Sequence, residues 1–268
     1  MTLKIFSVLY RKPTKTQDKQ FKKDLTILYW SNPLYFSSVK CYAEYIYLYS
    51  GDCMYFEYGE KETEYLKSKD KKLAEAIEII GHIYRETDDD LFLSVVKQIV
   101  GQQISAPAFK TVWKRVEDKL GEVSAENICS ISDEELQSCG LSYRKVSYIK
   151  DFSRKVHSGE FDVEKLAEMT DEEVIKELSS LKGIGVWTAE MLLLFCMQRP
   201  DVVSFGDLAI IRGMRMLYRH REIDRKKFVR YRKRYSPYGS VASLYLWAIS
   251  AGAIPQLTDP APKKKKEK

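Results

Sequence analysis

Hydrophobic positions divide the chain into two regimes. Leu3 to Tyr10, Leu25 to Trp30, Val39 to Tyr49 and Met54 to Tyr58 are rich in Tyr, Phe, Val and Ile, and turn-forming stretches such as Ser31-Asn32-Pro33 and Ser50-Gly51-Asp52 separate them. That pattern predicts a β-rich N-terminal domain over residues 1–70 with an antiparallel sheet. From Glu60 onward the spacing becomes helical. Lys71 to Tyr84 sets Leu73, Ile77, Ile80 and Ile83 on one face, and Asp88 to Asp90 breaks the pattern before a helix over Leu91 to Val100. Further helices are predicted over Phe109 to Leu120, Ser132 to Ser138, Val146 to Val156, Asp162 to Met169 and Asp171 to Leu178. The run Trp187 to Met197 is apolar nearly all round, which places it inside a helical core, and Pro200 stops it. Leu208-Ala209-Ile210 restart an apolar run, and Val241 to Ile254 form a last helix closing the core. The expected fold is mainly α, with a helical domain over 71–256 and a disordered basic tail over 257–268.

Length and composition change this picture little. At 268 residues with a hydrophobic fraction of 44% and a charged fraction of 31%, the chain can bury a sizeable core. Of the net charge of +6, the terminal run Lys263 to Lys268 carries +4 (five lysines less Glu267), leaving +2. Local charge therefore matters more than the total. Arg212 to Arg234 is the densest cationic stretch outside the tail, and only Glu222 and Asp224 oppose it. Five cysteines are scattered without C-x-x-C spacing and three histidines lie far apart, so a zinc site or a His-based triad has no support. The N-terminus lacks a signal-peptide layout and no apolar run reaches about 18 residues. The expected location is the cytoplasm, nucleoid-associated in a prokaryote, with no membrane contact.

The chemistry concentrates between Leu181 and Asp207. Gly183 and Gly185 separate two helical patterns, and two glycines in three residues permit a tight turn with φ > 0. The amides of Gly183, Gly185 and Val186 then point outward at the start of the next helix, where a phosphate fits. Gly140-Leu141-Ser142-Tyr143-Arg144-Lys145 opens another helix, and its glycine, serine and two cations suit either a second phosphate or a solvated face. Arg212 and the cations after it suit either sequence-independent attraction for a nucleic-acid backbone or a solvated helix face. Gly101-Gln102-Gln103 ends a helix in a turn able to present a flat amide to a duplex, or simply to bond backbone groups. Asp207 stands alone in the loop before Leu208, where capping the following helix is one role open to it.

Ile99 to Ser105, Gly140 to Lys145, Leu181 to Ala189 and Gly206-Asp207-Leu208, supported by Tyr235-Ser236-Pro237-Tyr238, resemble the helix-hairpin-helix base-excision DNA glycosylases with a Gly/Pro-rich loop and a catalytic Asp (HhH-GPD). Within them the chain looks most like the alkyladenine type, 3-methyladenine DNA glycosylase II, over roughly Asp90 to Ile254. The resemblance implies a small N-terminal α/β domain, an all-helical glycosylase domain and double-stranded DNA containing damaged bases as partner, with a monomer acting alone. It gives Asp207 the catalytic role, Trp187, Met191 and Tyr238 the base pocket, and Gln103, or Gln102 by a one-residue shift, the wedge that fills the gap left by a flipped nucleotide. Tyr35, Phe36 and Tyr55 are further aromatics that either line the pocket or pack a sheet face.

Departures from the family pattern carry information. Bifunctional relatives place a Schiff-base lysine two residues after the second hairpin glycine, where this chain has Trp187. The implied enzyme is monofunctional, hydrolysing the N-glycosidic bond and leaving an abasic site. Met191 replaces a second pocket aromatic, Ser204-Phe205 replaces a proline, and Tyr238 stands where a Trp is also found, which leaves the lesion open: 3-methyladenine, hypoxanthine, uracil or an oxidised purine. No cysteine follows Cys196, so the iron–sulfur cluster of some relatives is not expected. No cofactor is required, although the resemblance implies a Na+ or K+ ion on the carbonyls of Ser179, Leu181 and Ile184. A non-catalytic binder that keeps only the hairpin is the competing class.

Overall fold

The described residues, 54–261 of a computed structural model, are mostly helical. Expected strands over Leu3 to Tyr10, Leu25 to Trp30 and Val39 to Tyr49, together with Tyr35 and Phe36, lie outside the described residues. The expected strand Met54 to Tyr58 is short: β1 (Met54–Tyr55) forms a two-stranded sheet with β2 (Glu86–Thr87). The helices are α1 (Glu60–Lys69), α2 (Lys71–Ile80), α3 (Leu91–Gly101), α4 (Ala106–Leu120), α5 (Ala125–Ser130) and α6 (Asp133–Ser138). They continue as α7 (Tyr143–His157), α8 (Asp171–Ser180), α9 (Val186–Phe195), α10 (Leu208–Tyr218), α11 (Arg225–Tyr235) and α12 (Gly239–Ser250). A 3-10 turn covers Glu164–Glu168. No helix among the described residues is long and apolar enough to cross a membrane.

Two compact units divide the chain, one from Tyr55–Arg85 together with the chain from Pro200 onward, the other from Glu86–Arg199. In the first, every residue of α12 is buried, and α10, α11, α1 and α2 pack around it. Gly213 lets α10 approach α12 closely, since a Cβ there would fall closer than 3.0 Å to the backbone of Leu246. Asp70 links the two halves of this unit. Buried at the start of α2, it accepts from the Lys72 and Leu73 amides, both at 3.1 Å, from Tyr218 Oη at 2.9 Å and from Arg234 Nη1 at 2.9 Å. So many donors compensate its desolvation.

The second unit is built around α7, whose buried Val146, Ile149 and Phe152 face α5, α6 and α3. Phe152 stacks on Phe92 and meets Phe161 edge-on. The pair α8 and α9 buries Val174, Leu178, Ala189 and the run Met191 to Leu194, with α9 packed on α8 and α3. Each such side chain contributes about 1.5–3 kcal/mol when taken fully from water.

Local chemistry moves several boundaries from their expected places. The helix predicted over Lys71 to Tyr84 stops at Ile80 because Gly81 takes φ +76° and returns its N–H to Ile77 O. α4 begins ahead of Phe109, capped by Ser105 with Pro107 in its first turn. α5 was not anticipated; Ser124 caps it through the Asn127 amide. The cationic stretch Arg212 to Arg234 is two elements, broken at Arg219 in the left-handed region and restarted by the Asp224 cap. The tail also differs in part from the disorder expected over 257–268. Asp259 receives two hydrogen bonds from Arg215, at 2.9 and 2.6 Å, so the chain to residue 261 is held.

Candidate functional site

The hairpin between α8 and α9 is fixed from beneath and open above. Leu181 and Ile184 are buried and serve as its pegs, and the Ile184 amide donates to Leu181 O at 3.1 Å. Gly183 takes φ +85°, and a Cβ there would lie within 3.0 Å of the Tyr148 ring. Glycine is therefore demanded twice, by the backbone angle and by the aromatic floor. Lys182 donates to Asp151 at 2.8 Å, which holds that carboxyl below its ordinary range. Gly185 precedes α9 in an extended conformation and supplies no side-chain cap. The amides of Gly183, Gly185 and Val186 make no hydrogen bond among the described residues, and Gly185 and Val186 are exposed. Unpaired N–H groups at a helix start form an anion site.

The turn after α3 is bound to this hairpin. Gln102 Nε2 donates to Gly183 O at 2.7 Å. Lys145, expected as a phosphate ligand, instead places its ammonium on Val100 O at 2.8 Å and Gln102 O at 2.7 Å, the carbonyls that α3 leaves unpaired. Burial, and next the Arg144 charge, lower the Lys145 amine from its ordinary value. Gln103 follows with φ +58° and is exposed, as is Arg144. On α9, Trp187 is 46% exposed, which disfavours a core role, whereas Met191 is 5% exposed and packs in the unit. Around the hairpin's oxygens, the buried Ser179 hydroxyl has no hydrogen-bond partner, and Leu181 O retains a second lone pair.

In the other unit, the segment leading to Asp207 is strapped onto α12. Val202 N donates to Ser240 Oγ at 3.0 Å and Ser243 Oγ donates to Val202 O at 2.8 Å. Asp201 accepts from Ser236 Oγ at 2.6 Å and from the Gly239 amide at 3.0 Å. Asp207 then caps α10, its Oδ1 taking the amides of Ala209 and Ile210, both at 2.8 Å. It is 7% exposed. Leu208, which opens the apolar run that Ala209 and Ile210 continue, is 85% exposed at the first helical position. Tyr238 is half-buried, edge-on to Tyr65 with Lys61 above its ring. Arg212 lies 3.6 Å from Asp259, so the tail partly occupies it.

The structure thus brings together Gln102, Lys145, Gly183 and the open amides. Sequence reasoning missed Tyr148 and Asp151 as supports of the hairpin; both lie on the same helix as Lys145, but nothing in their own spacing marks them. Among the described residues no group of three or more His, Cys, Asp or Glu side chains is arranged to hold a metal ion.

Residues 96–237 match the family model described as the HhH-GPD superfamily base excision DNA repair protein. DNA-3-methyladenine glycosylase 1 of Schizosaccharomyces pombe is 29% identical over 199 residues, covering 71% of this chain and 87% of that protein. Among solved structures, a DNA-3-methyladenine glycosidase from Bacillus halodurans is 37% identical with a TM-score of 0.68, covering 74% of this chain and 92% of the other. The S. pombe 3-methyladenine DNA glycosylase in complex with abasic DNA is 28% identical with a TM-score of 0.61, covering 70% and 95%.

Proposed function

The chain belongs to the HhH-GPD superfamily of base excision DNA repair proteins, and on that premise we propose that it is a monofunctional DNA glycosylase that removes alkylated purines of the 3-methyladenine type. The observation that carries this is Asp207, a nearly buried carboxylate whose Oδ1 is fixed by two amides of α10. A damaged nucleotide swings out of the duplex at a cost of a few kcal/mol. As the N-glycosidic bond lengthens, positive charge grows on the sugar, and a preorganised carboxylate stabilises it without reorganising. Water then takes the anomeric carbon and an abasic site remains. An alkylated purine already carries positive charge and leaves readily, and the exposed face of Trp187 suits a cationic ring.

The hairpin amides grip a phosphate, Gln103 enters the gap left by the base, and Arg144 and Arg212 add salt-dependent attraction. Met191 and Tyr238 keep the base-contacting roles that the resemblance gives them, each within its own unit. The carbonyls of Ser179, Leu181 and Ile184 fit a Na+ or K+ ion, which takes such oxygens and would tie the hairpin more firmly; the unpartnered Ser179 hydroxyl beside them favours this. Protein acting as a monomer suffices.

Asp207→Asn tests the proposal, because Asn caps a helix as well as Asp and the fold is retained. On duplexes bearing single lesions, wild type releases 3-methyladenine and the variant is slower by about 10²–10³-fold. Borohydride yields no covalent adduct, since Trp187 stands where a lysine would form one. Full activity of the variant, or release of only hypoxanthine, uracil or an oxidised purine by wild type, overturns the proposed substrate or mechanism.

A further inference from the structure

The turn between α3 and α4 is tied to the glycine hairpin by one hydrogen bond and to α7 by two. α3 ends with carbonyls that its own ladder leaves unpaired, and a turn carrying a left-handed Gln103 at its tip is costly to hold in one conformation. The ammonium of Lys145 reaches two of the oxygens, Val100 O and Gln102 O, from α7. Its charge also complements the negative end of α3. The amide of Gln102 then bridges from the turn to Gly183 O. Tyr148, one helical turn beyond Lys145 on the same α7, forms the floor under Gly183. One helix therefore supports both the turn and the hairpin.

We propose that Lys145 and Gln102 are positioning residues that lock the Gln103 turn to the hairpin, so that the side chain entering the duplex and the amides gripping its backbone act as one rigid piece. This rests on the glycosylase reading of Gln103 as the wedge. Lys145 is then no phosphate ligand, and Gln102 is no wedge. Both act through Gln103, and their loss matters only while Gln103 is present.

Two measurements separate this from a phosphate-binding role and from simple destabilisation. In the first, binding of wild type and Lys145→Met to a duplex with a stable abasic analogue is followed against salt. A positioning lysine leaves the slope of log K against log [salt] unchanged, whereas a lost phosphate contact lowers it by about 0.9. In the second, a 2-aminopurine beside the abasic analogue reports an inserted side chain by its fluorescence. Lys145→Met and Gln102→Leu each lower insertion, and with it single-turnover excision, about tenfold. Lys145→Arg, which keeps donors, restores most of it. In a Gln103→Ala background the same two substitutions add less than about twofold, the non-additivity of residues acting through one group.

A reduced salt slope, or effects that multiply in the Gln103→Ala background, overturns the proposal. A wild type that gives the fluorescence change without releasing any alkylated purine refutes the proposed substrate but leaves the positioning role standing. A wild type with no fluorescence change refutes the role of the turn.

Discussion

Gly183 and Asp207 each meet a structural demand and, in the proposed function, a chemical one. Gly183 sits at φ +85° over the Tyr148 ring, so Gly183→Ala meets both a strained backbone and a steric clash. The expected cost is about 1–3 kcal/mol, read as a lower urea midpoint, with weaker binding to undamaged and damaged duplex alike. Asp207 takes two amides at 2.8 Å on one oxygen, so its cap role is compatible with the proposed chemical one. Both positions were legible in the sequence, because a glycine pair between helical patterns and a lone acid before an apolar run are local signals. The carbonyl partners of Lys145 were not legible, for the opposite reason. Its partner carbonyl at Val100 is 45 positions away, and a cation on a helix face looks the same whether it faces a phosphate or the end of another helix.

At the scale of elements, the crossing of α10 over α12 sets where Asp207 starts its helix. Gly213→Ala forces a methyl against the Leu246 carbonyl, and the two helices must part. The expected loss is about 1–3 kcal/mol, a fall in melting temperature of about 2–12 °C by calorimetry. Excision falls further than stability alone predicts, since the cap of α10 moves with it. Helices with a clear apolar stripe were legible from periodicity, as were the hairpin and its flanks. The break at Arg219 was not, because a left-handed arginine carries no glycine to mark it. Nor was the strap over 200–203, whose Ser240 and Ser243 read from sequence as ordinary polar positions although both are wholly buried.

For the whole molecule, the unit formed by Tyr55–Arg85 and the chain from Pro200 onward is rich in buried phenols. Tyr218, Tyr235 and Tyr245 are each held above the ordinary phenol value of 10.0, burial being the largest cause, with coulombic repulsion from neighbouring Tyr and carboxylate groups adding to it. A raised folded value means that the unfolded chain loses these protons first. Stability is fully present below pH 10 and falls above it, by roughly 1.4 kcal/mol per pH unit for each phenol, or about 4 for three. Alkaline titration followed at 295 nm shows tyrosinate appearing together with loss of helix by circular dichroism; normal titration of all tyrosines in a helical protein contradicts this. The order of the segments has a consequence for synthesis. Tyr55–Arg85 leaves the ribosome before Glu86–Arg199 and must wait for the chain beyond Pro200 to complete its unit. Nascent α1 and α2 thus spend more than a hundred residues of elongation without the helices that bury Leu66, Leu73 and Ile77, so slow translation of the middle segment prolongs the interval in which those apolar faces invite chaperones.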